Sequence, residues 1–324
     1  MSNSNRNKNQ HLVPNWYLKR WAKKSRYNPN QYDIFYYDKE KDIIKKTSTD
    51  SDKITEKHFY TMPEQFLKNY SLISSLCVED LLSQIEGNMA CRVKQIDEIF
   101  TDKNIKCLKS IYGEEEAFNI KRDISFYLGV QWTRGKESKK KFEDIIYGMR
   151  DRVEEIVGKK RMEKCNLNLD HDDIKLNHMY SIFDMADIFC KNFSSKKYYW
   201  FFGVNRADVP FYTSDNPVVD AFGDSLIQGL ASEKLQLHFP LSPKSILLIV
   251  SKEYIETEAS HLSVFDGRVY PFGTRQVEVA NNLQIEKSYK DIYSNSENSL
   301  SWAQNICKNN KRLRDIDRSR VKFM

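Results

Sequence analysis

Between Val78 and Phe100 the apolar residues Val78, Leu82, Ile85, Met89, Val93, Ile96 and Phe100 recur at steps of four and three. That period puts them on one stripe of a helix, whereas a strand would alternate every second residue. A long helix with one apolar face has little stability alone and needs a surface that covers it. Composition supplies that surface, since 40% of the residues are hydrophobic and 13% aromatic. Such a chain buries a sizeable core despite its 30% of charged residues, which excludes a disordered chain. At 324 residues it makes one large domain or two ordinary ones.

Other segments read by the same rules. Pro14 suits the first turn of a short helix, with Tyr17, Leu18 and Trp21 on one face. Tyr32 to Tyr37, the turn Asp38-Lys39-Glu40-Lys41-Asp42 and Ile43-Ile44 predict a β-hairpin within 32–48. Helices are predicted over Glu114 to Arg134, stopped by Gly135, and over Lys140 to Val157. Asp170 to Asp173 read as a capped helix start. His178 lies on the stripe Ile174, His178, Ile182, Met185, Phe189, so it reads as a core histidine and not as part of a metal site. Short strands follow at Tyr198 to Val204, Leu235 to Pro240 and Ser245 to Val250, with a turn at Leu241-Ser242-Pro243-Lys244. A helix from Thr274 to about Tyr289 closes the predicted fold. The expected class is α+β: a helical N-terminal and central part with one early hairpin, packed with a small antiparallel sheet in the C-terminal half. The expected organisation is a flexible basic lead-in over 1–9 and a single globular domain over 10–306. Within that domain lie a helical centre, 72–192, and a sheet-rich part, 196–272; a basic tail covers 307–324.

Charge is unevenly spread. The net +6 conceals basic ends, since Arg6, Lys8, Lys19, Arg20, Lys23, Lys24 and Arg26 fall in the first stretch with no acid among them. Seven more bases against Asp315 and Asp317 crowd the last one, so the body between is acidic. Such ends read as solubilising tails or as a nucleic-acid surface. The six cysteines are scattered with no Cys-x-x-Cys pair, which points to reduced thiols and a cytoplasmic protein. The first ten residues lack the apolar run of a secretion signal, and Ile246 to Val250 is too short to span a bilayer.

Several polar residues stand where chemistry could act. Val209 to Val219 is an apolar, strand-like run interrupted by Thr213-Ser214-Asp215-Asn216-Pro217. Pro217 keeps Asn216 extended, so the side-chain acceptors cap their own turn or face a ligand. Glu79 and Glu86 lie two helical turns apart at the edge of the apolar stripe. They serve either as partners of basic side chains or as metal ligands and bases in a cleft. Gln131 and Arg134 share a face at a helix C-terminus, where arginine also answers the dipole. His11 precedes the first helix.

Taken in order, Gln10-His11-x-x-Pro14-x-x-Tyr17-Leu18-x-x-Trp21, the hairpin, Glu79 and Glu86, Gln131-x-x-Arg134, Thr213-Ser214-Asp215-Asn216-Pro217 and Pro240-Leu241-Ser242-Pro243 resemble a bacterial family, domain of unknown function 4238, over residues 9 to 294 or so. Trp21 stands where that family usually has Phe, and Gly135 replaces a more usual Thr-Pro. The resemblance implies no established reaction. It implies that these separated residues belong together. On that basis His11, Glu79, Glu86 and Asp215 are the expected catalytic residues, and Glu79, Glu86 and Asp215 the expected metal ligands. Gln10, Gln131, Arg134, Ser214 and Asn216 are the expected substrate contacts. Oxygen ligands favour Mg²⁺ or Mn²⁺. With basic ends, the expected reaction is metal-assisted phosphodiester hydrolysis of nucleic acid, with phage defence a conceivable setting. The alternative is a non-catalytic binding or scaffold module, whose polar network fixes the fold and recognises an anionic ligand. Arg134 bonded to the glutamates in a closed core is the arrangement that favours the second.

Overall fold

The computed structural model describes residues 9–70, 73–101, 107–164, 170–222, 234–260, 265–318 and 321. The lead-in up to residue 8 and the end of the basic tail lie outside the described residues. The chain opens with β1 (Asn9–His11), α1 (Asn15–Leu18), β2 (Lys23–Lys24), β3 (Tyr32–Asp38), β4 (Ile43–Ser48) and β5 (Thr55–Lys57). A helical block follows, with α2 (Glu64–Asn69), α3 (Cys77–Thr101), α4 (Leu108–Thr133), α5 (Lys136–Val157), α6 (Lys159–Lys164) and α7 (His171–Phe193). The last third holds β6 (Tyr198–Asn205), β7 (Thr213–Ser214), β8 (Val219–Asp220), β9 (Gln236–Ser242), β10 (Ser245–Ser251), α8 (Lys252–Thr257) and β11 (Arg268–Phe272). It ends with α9 (Thr274–Lys287), β12 (Asp291–Ser294), α10 (Glu297–Asn309) and a 3₁₀ turn at Lys311–Arg314.

The helical stripe behaves as its period predicts: Val78, Leu82, Met89, Val93 and Ile96 are all buried. α4 packs closely on α7, where a Cβ on Gly129 would stand 2.6 Å from the Ala186 Cα. α4 begins earlier than expected, at Leu108, because a break at Gly113 (φ 81) interrupts the period. Only glycine takes that backbone angle without strain. α7 starts on a capping box between Asp170 and Asp173, and His178 is buried. His178 Nε2 donates to the Thr133 carbonyl at 3.0 Å, and burial lowers its pKa to about 4.

The strands are more extensive than one small antiparallel sheet. One five-stranded sheet runs β11-β6-β10-β9-β8, and its β11–β6 pair is parallel. A second is built on β3, which pairs with β4 on one side and with β2 and β12 on the other, and β12 then pairs with β7. A ladder of β1 and β5 stands apart from both. The predicted early hairpin is therefore β3–β4, but its sheet is completed by C-terminal strands. Residues 310–318 do not trail away. Leu313 is buried, Arg314 Nε donates to the Lys39 carbonyl at 3.1 Å, and Arg318 donates to the carbonyls of Tyr289 and Glu286 at 3.3 Å. The tail expected from 307 is docked as far as Arg318, since Arg314 meets the β3–β4 turn and Arg318 meets carbonyls at and just beyond the end of α9. No helix among the described residues is long and apolar enough to cross a membrane.

Candidate functional site: a polar knot beside a charged cleft

The motif segments are tied to one another through buried hydrogen bonds. Tyr17 Oη lies 2.8 Å from Thr213 Oγ1 and donates to the Pro240 carbonyl at 2.6 Å. Trp21 Nε1 donates to the Phe211 carbonyl at 2.9 Å, and Arg20 Nε to that of Leu241. A short helix near the start thus holds two distant strand turns in register. This explains why these polar and aromatic residues accompany one another in the sequence.

The C-terminal turn of α4 carries the first cluster. Arg134, 1% exposed, donates from Nη1 to Glu86 Oε1 at 2.6 Å and from Nη2 to the His11 carbonyl at 2.5 Å. Its guanidinium lies over the Tyr60 ring, and Tyr60 Oη donates back to the Arg134 carbonyl at 2.8 Å. Gln10 Oε1 accepts the Tyr60 amide at 2.6 Å, and Gln131 Nε2 donates to the Leu12 carbonyl at 3.2 Å. Glu79 belongs to the same group: burial pushes its pKa up to about 7, with the Arg134 charge opposing and the Glu86 charge adding. Its Oε2 is buried with no hydrogen-bond partner among the described residues, as are Gln10 Nε2, Gln131 Oε1 and Tyr127 Oη.

His11 enters the knot only through its backbone. Its ring donates from Nε2 to the Thr49 carbonyl at 2.9 Å, with Asp50 at 4.0 Å. In a strand, adjacent side chains point to opposite faces, so Gln10 and His11 have separate surroundings. The expected proton carrier is therefore held away from the carboxylates it was to serve.

Asp215 belongs to a second place. Its carboxylate accepts the amides of Tyr289 (2.9 Å), Lys290 (2.7 Å) and Asp291 (2.8 Å), and its own amide donates to the Asp291 carbonyl at 3.0 Å. Ser214 Oγ lies 2.8 Å from both the Asn216 carbonyl and Gln284 Oε1, acceptors that share its single proton, while Gln284 Nε2 donates to the Pro217 carbonyl at 2.9 Å. Asn216 Nδ2 reaches Glu137 Oε2 at 3.3 Å and the Lys287 carbonyl at 3.2 Å. The Thr-Ser-Asp-Asn-Pro turn is thus a latch on the segment joining α9 to β12.

Asp215 and Asn216 also line a cavity of about 920 Å³. Leu12, Val13, Trp132, Val218 and Tyr293 give it apolar wall, and its charged lining comprises eight Lys or Arg against six Asp or Glu. On β12, Asp291 faces its cross-strand partner Asp38, and Lys53 bridges them at 2.8 and 3.0 Å. Burial, then the charge of Asp215, pushes the Asp291 carboxyl up to about 7, against the pull of Lys53. Burial raises Asp215 as well, but its amide donors and Lys39 favour the anion.

The structure therefore brings Gln10, Glu79, Glu86, Gln131 and Arg134 into one knot, and Ser214, Asp215 and Asn216 to a cleft beside it. Leu12 and Gly135, whose neighbours form the knot, line the cleft, so the two share a wall. The expected metal trio is not assembled. Glu86 is engaged by Arg134 and Asp215 by three amides, and no group of three or more His, Cys, Asp or Glu among the described residues is placed to hold a metal ion. Sequence reading missed Tyr60, Lys53 and Asp291. Tyr60 and Lys53 fall in or beside a polar loop with no period, and Asp291 opens a strand only four residues long.

Fold and site together define a mixed α+β protein with a buried arginine–carboxylate knot behind a charged cleft. The family described as Protein of unknown function (DUF4238) matches residues 9–298, and the chain belongs to that family. No curated protein and no solved structure matches it.

Proposed function

We propose that this chain is a binding module whose cleft takes a small anionic ligand, with the Arg134 knot fixing one wall. The observation that carries this reading is the excess of basic over acidic side chains around a cavity of about 920 Å³. That volume lies within the range of small-molecule sites, and the mixture of apolar wall and charged rim suits orientation of a ligand bearing carboxylate or phosphate. The knot supports it from behind: Gln131 holds the Leu12 carbonyl and Arg134 that of His11. The bonded members, Arg134 with Glu86 and the His11 carbonyl and Gln131 with the Leu12 carbonyl, are the part of the network that fixes this geometry. Thermal-shift and calorimetric titrations with dicarboxylates, inorganic sulfate and nucleoside phosphates test the reading. Saturable binding that Asn216→Ala or Lys53→Met weakens is the expected result. Absence of binding by every anion in the panel would remove it.

One observation favours metal-assisted phosphodiester hydrolysis as a second reading. The Glu79 carboxyl, with an unpartnered oxygen and a pKa of about 7, has the properties of a group poised to exchange protons. Mg²⁺ is commonly held by one or two carboxylates together with water and substrate phosphates, which Glu79 and Glu86 could supply in part. The test is incubation of RNA and DNA with the purified protein and Mg²⁺ or Mn²⁺. Cleavage abolished by Glu79→Gln would install this reading, and uncut substrates would sink it.

A further inference from the structure

Asp38 and Asp291 face each other across β3 and β12, and Lys53 lies between them at 3.0 and 2.8 Å. Lys53 comes from neither strand. It is carried by the segment between β4 and β5, and both Lys53 and Asp291 line the cleft. Its ammonium also stands 5.0 Å from the Tyr36 ring centroid. Resting on the anion-binding reading above, we infer that Lys53 is an exchangeable counter-ion: an incoming anion draws Lys53 from Asp291, and Asp291 takes up a proton from solvent in its place.

The other groups around the pair assign the proton to Asp291. From β3, Asp38 keeps the amide of Lys41 at 3.0 Å and the Lys290 ammonium at 3.8 Å, so it retains partners when Lys53 moves. Burial opposes the charge on Asp38, but the Lys41 amide, Lys53 and Lys290 outweigh it and hold the carboxyl below its usual range. From the β7–β8 turn, Asp215 accepts three amide N–H groups and feels the Lys39 charge, an environment that only the ionised form satisfies in full. Glu137 adds negative charge to Asp215 from α5, and Lys290 itself pairs with Glu40. Asp291 is left as the carboxylate that depends on Lys53, beside Asp215, whose three amide donors favour its anion. Two such neighbours titrate as a pair, and removal of the cation shifts the proton balance toward the member without other donors.

Anion affinity is then linked to pH with a definite sign. Because the bound state holds the extra proton, binding tightens as pH falls. Sulfate is the probe, since it does not titrate near neutrality, and ionic strength is kept constant with chloride to separate site binding from screening. For the intact chain, sulfate dissociation constants are expected to be roughly tenfold weaker at pH 8.5 than at pH 6.5, with proton uptake shown by calorimetry in buffers of different ionisation enthalpy. Asp291→Asn, neutral at every pH, is expected to bind at both pH values about as tightly as wild type does at pH 6.5. Lys53→Met is expected to lose binding at both. Equal affinities at the two pH values in the intact protein, or an undiminished pH dependence in Asp291→Asn, overturn the exchange while leaving an anion site in place. No sulfate binding at either pH overturns both the exchange and the anion-site reading on which it rests. The calorimetric proton count on the wild-type chain decides the matter even if Asp291→Asn does not fold.

Discussion

Arg134 shows how one residue constrains a region. It is buried, yet its donors are spent on Glu86, Tyr60 and the His11 carbonyl. Burial alone would lower its pKa; Tyr60 and Glu86 more than compensate, so it stays charged. Removing one partner of such a pair leaves the other charge uncompensated. Arg134→Met should therefore cost about 3 kcal/mol or more in urea unfolding. Glu79 carries the opposite lesson. Its pKa is raised in the fold to about 7, so its contribution is full below the ordinary carboxyl range and is lost as pH rises to about 7. Relative to wild type, Glu79→Gln should be neutral near pH 4 and stabilising at pH 8. The gain is on the order of 1–2 kcal/mol, discounted for residual solvent exposure. The comparison is made between variant and parent at each pH. Buried His178 and His238, both lowered to about 4, have the opposite pH dependence: their contribution is full above about 6.5 and is lost as pH falls to about 4. Equal midpoints for Glu79→Gln and parent at pH 8 would show that Glu79 is not destabilised by burial.

At the scale of elements, two joints hold the molecule. The first is the α4–α7 contact, where Gly129 meets the Ala186 backbone. Gly129→Ala should force the helices apart and cost about 1–3 kcal/mol despite the better helix propensity of alanine. An unchanged thermal midpoint would contradict the close approach. The second joint is the Asp215 latch on the start of β12. Asp215→Ala leaves three backbone donors without their acceptor, at about 1–3 kcal/mol for each that water cannot reach. Amide exchange should accelerate at Tyr289 to Asp291 before it does in β6 or β10, which lie in the other sheet. A purely catalytic Asp215 would leave that exchange pattern unchanged.

For the whole molecule, the basic C-terminus is structural as far as Arg318. Truncation after Asn310 removes buried Leu313 and the arginines that meet the Lys39, Glu286 and Tyr289 carbonyls. It should lower the thermal midpoint by several degrees, about what the loss of 1–2 kcal/mol produces in a chain of this size. A truncated chain of unchanged stability would mean that this segment does not pack in solution. Charge substitutions at the exposed Lys311 and Arg312 are therefore the sounder probe of nucleic-acid contact, because they leave the docked residues in place.

What the chain alone determined is local in origin. The apolar period laid down α3, the alternation and turn residues laid down β3–β4, and Asp170 with Asp173 marked where α7 begins, because each signal lies within one or two turns of backbone. The polar residues were legible one by one, as a helix-end arginine, glutamates beside an apolar stripe and an Asp-Asn-Pro turn, but it was the family resemblance and not local pattern that grouped them. Tertiary structure alone decided who their partners are. β12 has four residues and no period of its own, and becomes a strand because β7 and β3, the latter near the opposite end of the chain, offer it hydrogen bonds. By the same route Glu86 went to Arg134, Asp215 to the amides before β12, and Lys53 to the gap between two facing aspartates. Burial and pairing act through space, and no spacing along the sequence encodes them.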